Sequence, residues 1–267
     1  MNNDKLTAQK KIAFFDSGVG GLTVFKRLKE LLPNEDYIYF GDLKNIPYGE
    51  KSKEELIKIA YRIFSFFEKQ DVKAIVMACN TTSANTYETL KNKYKFKIYP
   101  IIQSCAGIIA KMPARRIGIL ATEATIKSGV YSKELKKHNP GLEIFEMACP
   151  PWVGIVEEKK QKEAKSVAIV QSYLGEILKY YPDKIVLGCT HYPYLLDILG
   201  KFIPKDKFID PSLYFAEYIK NDLEKNGLLN EVGTGSEKFY VSANPQKFMN
   251  SASIFYQIKE LPELINV

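Results

Sequence analysis

At 267 residues the chain has room for one large domain or two small ones, and either can bury a sizeable core. Hydrophobic residues make up 46% and charged residues 26%, with 16 Gly and 13 Pro, values that exclude fibrous, low-complexity and disordered classes. The 38 basic and 31 acidic side chains leave a net +7, but the densest basic patch, Lys159, Lys160, Lys162 and Lys165, is interrupted by Glu157, Glu158 and Glu163. It reads as a solvated helix face rather than a nucleic-acid footprint.

The opening residues Met1-Asn2-Asn3-Asp4-Lys5 are polar, and no stretch approaches the roughly 18 consecutive apolar residues of a membrane span. A cytoplasmic protein with no membrane partner is expected. Next, Lys11-Ile12-Ala13-Phe14-Phe15 is a buried-strand run. A Gly-rich turn follows it, and then Leu22, Phe25, Leu28 and Leu32 recur at helical spacing until Pro33. Tyr37-Ile38-Tyr39-Phe40 predicts a second strand. Ser52-Lys53-Glu54-Glu55 is a capping box opening a helix with Leu56, Ile59, Ile63 and Phe67 on one face. Ala74-Ile75-Val76-Met77-Ala78 predicts a third strand, leading through Cys79-Asn80-Thr81 into a helix with Ala84, Tyr87 and Leu90. Such alternation predicts an α/β fold with parallel-rich sheets flanked by helices.

The pattern recurs. Lys11-Ile12-Ala13-Phe14-Phe15 matches Arg116-Ile117-Gly118-Ile119-Leu120 after 105 residues, and Ala74–Cys79 matches Lys184–Cys189 after 110. As a further strand pair, Ile101-Ile102-Gln103-Ser104 matches Ile209-Asp210-Pro211-Ser212 after 108. The helix before Cys189, carrying Val167, Val170, Leu174, Ile177, Leu178 and Tyr181, parallels the one before Cys79. Two similar domains related by a pseudo-twofold axis are expected, with linkers near 104 and 212 and a site in the cleft between them. The first comprises 1–104 plus a returning segment 213–267, which contains Phe215, Tyr218, Ile219, Leu223 and the Phe239-Tyr240-Val241-Ser242 run. The second comprises 105–212.

Ligands of open α/β sheets bind beyond the carboxyl ends of the strands. That rule selects Asp16-Ser17-Gly18-Val19-Gly20-Gly21, Gly41-Asp42 with Pro47-Tyr48-Gly49, Cys79-Asn80-Thr81-Thr82, and Cys189-Thr190-His191-Tyr192-Pro193. The first loop does not fit a dinucleotide fingerprint, and Asp16 would repel a phosphate. Asp16 suits an ammonium group or a proton-transfer partner, with an N-cap or Asx-turn as its structural alternative. The four cysteines (Cys79, Cys105, Cys149, Cys189) lie 26, 44 and 40 residues apart without a C-x-x-C pair, and His138 and His191 are the only histidines. Neither a disulfide framework, a thiol redox centre nor a metal site is indicated, and no cofactor is expected.

Cys79 and Cys189 occupy equivalent strand ends just before helices, where a helix N-terminus lowers a thiol pKa from about 8.5 toward neutrality. Cys105 and Cys149 read as structural. Two such thiols on opposite sides of one cleft have a natural use. A thiolate removes a proton from a tetrahedral carbon and the opposite thiol returns one, inverting configuration. His191 beside Cys189 and Asp16 beside Cys79 are placed to relay protons, although His191 also fits a simple cap and Glu157 fits the solvated charge run. Asn80, Thr81, Ser17 and Thr190 can donate to a carboxylate. These residues leave open glutamate, aspartate, hydantoins or similar acids as substrate, and a two-lobed binding protein without chemistry.

From Asp16-Ser17-Gly18-Val19-Gly20-Gly21-Leu22 through Pro47-Tyr48-Gly49 and Ala78-Cys79-Asn80-Thr81 to Gly188-Cys189-Thr190-His191-Tyr192-Pro193, the chain closely resembles glutamate racemase, the cofactor-independent isomerase of bacterial cell-wall synthesis. The resemblance implies two α/β domains sharing a site, and interconversion of L- and D-glutamate that supplies D-glutamate to peptidoglycan. It implies Cys79 and Cys189 as acid/base thiols, Asp16, Glu157 and His191 as helpers, and Asp16-Ser17, Tyr48-Gly49, Asn80-Thr81 and Thr190-His191 as substrate contacts. An aspartate racemase of the same superfamily is the near alternative. Gly154 stands where the family usually has Pro, and Tyr194 where it has an aliphatic residue. The expected partners are the small-molecule substrate and a second copy in a homodimer.

Overall fold

A computed structural model describes residues 7–267. In chain order the elements are β1 (Lys11–Asp16), α1 (Leu22–Leu31), β2 (Tyr37–Gly41), α2 (Lys53–Glu68), β3 (Val72–Met77), α3 (Asn80–Leu90), β4 (Lys97–Pro100) and α4 (Ile101–Ile109). There follow β5 (Arg116–Ala121), α5 (Glu123–Ser128), α6 (Val130–His138), β6 (Glu143–Ala148), α7 (Pro151–Glu157), α8 (Ala164–Leu178) and β7 (Lys184–Gly188). The chain closes with α9 (Leu196–Leu199), β8 (Phe208–Ile209), α10 (Pro211–Lys225), β9 (Glu237–Val241), α11 (Pro245–Ala252) and β10 (Glu263–Leu264).

The strands form two sheets, ordered β10-β9-β2-β1-β3-β4 and β6-β5-β7-β8, and every pairing is parallel. Apart from Lys11, every residue of β1, β2 and β3 is buried, as expected of strands covered on both faces. The order β2-β1-β3-β4 in one sheet repeats as β6-β5-β7-β8 in the other, so the duplication read from the sequence is a duplication of topology. In each sheet the chain reverses direction of winding at one place, between β1 and β3 and between β5 and β7. A crevice opens there beyond the strand ends. Asp16 and Cys79 stand at the first crevice, and Thr122 and Cys189 at the second.

Local signals hold at several elements. Ser52 caps α2 reciprocally with Glu55, the hydroxyl accepting from the Glu55 N–H at 3.3 Å while the Ser52 N–H donates to Glu55 Oε2 at 2.9 Å. The buried face of α2, with Leu56, Ile59, Ile63 and Phe67, covers one side of the first sheet. A second apolar cluster runs unbroken from Phe14 and Phe25 through Ile117 and Leu120 to Trp152 and Leu187, packing the two sheets into one body.

Other expectations are corrected. Ile101–Ser104 is the start of α4 and not a strand; the true counterparts are β4, which ends at Pro100 and leads into α4, and β8, which ends at Ile209 just before the Asp210 N-cap of α10. Residues 104 and 212 lie inside α4 and α10, so those positions are helical rather than loop linkers. Tyr181 falls outside α8, with φ of 48° and 77% exposure. Lys159, Lys160 and Lys162 lie between α7 and α8, not on a helix face, because α8 begins only at Ala164. The returning segment adds β9 to the free edge of β2 instead of only covering the sheet. Among the described residues no helix is long and apolar enough to cross a membrane.

Candidate active site

The two crevices meet at a cavity of about 190 Å³ lined by Ser17, Tyr48, Gly49, Cys79, Asn80, Thr81, Thr122, Glu157, Cys189, Thr190 and His191, with Pro47, Pro150 and Val153 among its apolar walls. Both thiols therefore border one space, from opposite sheets. Cys79 is the N-cap residue of α3, and Cys189 follows the last residue of β7. Each is 7% exposed, whereas Cys105 and Cys149 are sealed at 0%.

On the Cys189 side, His191 Nδ1 lies 3.8 Å from the sulfur and Nε2 lies 3.1 Å from Glu157 Oε1. Glu157 is the last residue of α7, which forms through Gly154, and it belongs to the cavity wall rather than to the exposed charge run. Burial opposes a charge on His191, but its hydrogen bonds with Cys189 and Glu157 win and carry its pKa up to about 10. Burial also works against the Glu157 carboxylate, and the His191 ring holds it below its ordinary value. His191 occupies the N-cap position of a 3₁₀ turn, Tyr192–Leu195, yet its ring makes no capping bond.

On the Cys79 side, Asp16 is fully buried beneath the cavity and is not part of its lining. Its Oδ1 accepts the Gly18 N–H at 2.9 Å, which is the Asx-turn geometry, while Oδ2 has no hydrogen-bond partner among the described residues. Burial pushes the Asp16 carboxyl up, opposed by the charge of His191. The Cys79 thiol is pushed up to about 11 by burial and then by Asp16, despite the helix N-terminus below it. The expectation of near-neutral thiols on helix dipoles thus fails for Cys79, because desolvation in a closed cleft outweighs the dipole. Cys189 has no long helix behind it at all: a four-residue 3₁₀ turn and the four-residue α9 follow.

The family profile described as Asp/Glu/Hydantoin racemase matches residues 19–218. The chain belongs to this family. A glutamate racemase of Carboxydothermus hydrogenoformans is 42% identical over 250 residues, spanning 91% of each chain. Among solved structures, a glutamate racemase of Francisella tularensis in complex with D-glutamate superposes with a TM-score of 0.90 at 35% identity, covering 97% of this chain and 98% of that one. A glutamate racemase of Thermus thermophilus in complex with β-chloro-D-alanine gives 0.87 at 32% identity, covering 97% and 98%.

Within this family member the predicted polar residues are oriented by partners that the sequence reading missed. The Tyr131 hydroxyl, from α6, donates to Asn80 Oδ1 at 2.7 Å, leaving the Asn80 amide N–H groups for the cavity. Thr81 shares a hydroxyl triangle with Thr122 and Thr125, at 2.8 Å from Thr122 and 3.3 Å from Thr125, with Thr122 and Thr125 themselves 2.8 Å apart. Tyr48 donates to the buried Asp42 carboxylate at 2.5 Å, and Asp42 also accepts from Ser242 at 2.6 Å. Thr122 had a signal: extending the offset of 105 residues from Asp16-Ser17 lands on Ala121-Thr122. Tyr131 and Thr125 had none, since each acts on the other unit's side chain.

Gly20 carries a further constraint. A Cβ there would sit 2.3 Å from Thr190 Oγ1 and 2.6 Å from His191 Nδ1, so the missing side chain is what lets the second crevice close against the first.

Proposed function

We propose that this protein is a glutamate racemase interconverting L- and D-glutamate through two thiols, Cys79 and Cys189, acting from opposite faces of the α-carbon. The observation that carries this reading is that two cysteines from duplicated strand ends border one cavity whose lining also includes Ser17, Asn80, Thr81, Thr190 and His191, side chains able to donate to a carboxylate.

In the proposed cycle one thiolate takes the α-proton. An S–H bond forms, the C–H bond breaks, and its electron pair stays on the α-carbon, which flattens into conjugation with the α-carboxylate. The opposite thiol then delivers its proton to the other face, leaving the second sulfur as the thiolate. At rest the two sides differ. His191, cationic at neutral pH, faces the Cys189 sulfur and can donate to a thiolate there, while Cys79 holds its proton as the acid. Binding an ammonium group near Asp16 would offset the negative charge that burdens Cys79 and ease the exchange of roles. We assign Ser17, Tyr48, Gly49, Asn80, Thr81, Thr190 and His191 to substrate contact, with Asp16 acting from beneath.

The working units in this reading are residues 1–104 with 213–267, and 105–212. The proposal extends to a cytoplasmic homodimer supplying D-glutamate to peptidoglycan, tested by light scattering against twice the 30.4 kDa chain mass. Incubation with L-glutamate in deuterated water, without added cofactor, should destroy optical rotation and place deuterium at the α-carbon. L-aspartate in parallel separates the substrate classes. Cys79→Ala and Cys189→Ala should each abolish racemisation in a folded protein, and full turnover in either variant would refute the two-thiol assignment.

A further inference from the structure

Thr82 is fully buried, and among the described residues its hydroxyl has no hydrogen-bond partner. A buried hydroxyl left unmade is costly, so its retention needs a reason. Its neighbours in α3 find partners within the helix: the Thr86 hydroxyl donates to the Thr82 carbonyl at 2.9 Å and the Asn85 amide to the Thr81 carbonyl at 2.9 Å. Thr82 instead sits three residues after Cys79, the N-cap, at the position whose backbone N–H an N-cap side chain accepts. Both its N–H and its hydroxyl face the Cys79 sulfur. The neutral thiol makes no capping bond. A thiolate, as a strong acceptor, would take both donors.

The other groups facing this sulfur are unfavourable to a negative charge or neutral. Asp16, from β1, opposes it directly, and Cys189 does so from the second crevice. Tyr39 and Tyr48 are held protonated by burial, Tyr39 being committed to the Gly18 carbonyl at 2.9 Å and Tyr48 to Asp42. Among the described residues none of the groups acting on this sulfur is a cation corresponding to His191, so the two sulfurs need different support.

We propose that Thr82 is a positioning residue for the reaction: its hydroxyl, with its own backbone N–H, caps the Cys79 sulfur during the half of the cycle in which that sulfur is charged. This rests on the two-thiol reading, and it assigns to α3 the task that the His191–Glu157 pair performs for Cys189.

The test uses the full chain with Thr82→Val, which keeps the side-chain shape, Thr82→Ser, which keeps the hydroxyl, and Thr82→Ala should the valine variant not fold. Iodoacetamide modification of Cys79 and Cys189 is followed separately by peptide mass between pH 7 and pH 10. In Thr82→Val the Cys79 rate should fall by roughly ten-fold throughout, the effect of raising its pKa by about one unit, while the Cys189 rate is unchanged. Thr82→Ser should restore it, and racemisation should lose kcat with little change in KM. Equal Cys79 rates in wild type and Thr82→Val would overturn the proposal. A wild-type protein that fails to racemise glutamate would instead overturn the function reading, since the alkylation result does not depend on turnover.

Discussion

Removing the Glu157 charge by Glu157→Gln tests how the Cys189 side is held. Glu157 Oε1 is 3.1 Å from His191 Nε2, and the imidazole is only 5% exposed. A hydrogen bond to a charged partner contributes about 1.5–3 kcal/mol, which at about 1.36 kcal/mol per pH unit is one to two units of His191 pKa. The midpoint should therefore drop from about 10 to between about 8 and 9. His191 would remain cationic at pH 7, so the same arithmetic predicts only a several-fold loss of racemisation there, with a deepening deficit towards pH 9. The assay is an imidazole NMR titration, made tractable because His138 is the only other histidine, with His138→Gln supplying the assignment. Because the folded-state value lies above the unfolded 6.5, this interaction stabilises the fold fully below about pH 6.5, and the contribution disappears as pH climbs through about 10. A His191 midpoint near 6.5 in the wild type, or one that Glu157→Gln leaves in place, would refute the reasoning.

Three further outcomes are expected. Asp16→Asn should lower racemisation at least ten-fold yet raise the melting temperature at neutral pH, because the raised pKa of Asp16 means that its ionised form destabilises the fold; the gain should vanish below about pH 4. Gly20→Ala should cost about 1–3 kcal/mol in urea unfolding through overpacking against Thr190 and His191, and slow alkylation of Cys189 more than that of Cys79. Thr122→Val breaks the hydroxyl triangle between Thr81 and Thr125 and should raise KM for glutamate several-fold in steady-state assays, with folding preserved by circular dichroism.

The sequence by itself determined the strand-loop-helix grammar, the Ser52 capping box, the repeat that makes Cys79 and Cys189 equivalent, and the four loops from which most of the cavity is built. These are local: a buried parallel strand needs an apolar run, a helix needs its cap and period, and strand ends bear ligands whatever lies around them. Tertiary structure decided what depends on distance and solvent. Packing within the second unit placed Glu157 against His191, and the approach of the two crevices set Tyr131 on Asn80 and brought Thr81 to Thr122 and Thr125, because these partners lie dozens of positions apart. The raised pKa of the Cys79 thiol likewise follows from its burial and from the Asp16 charge it faces, quantities that no run of neighbouring letters encodes.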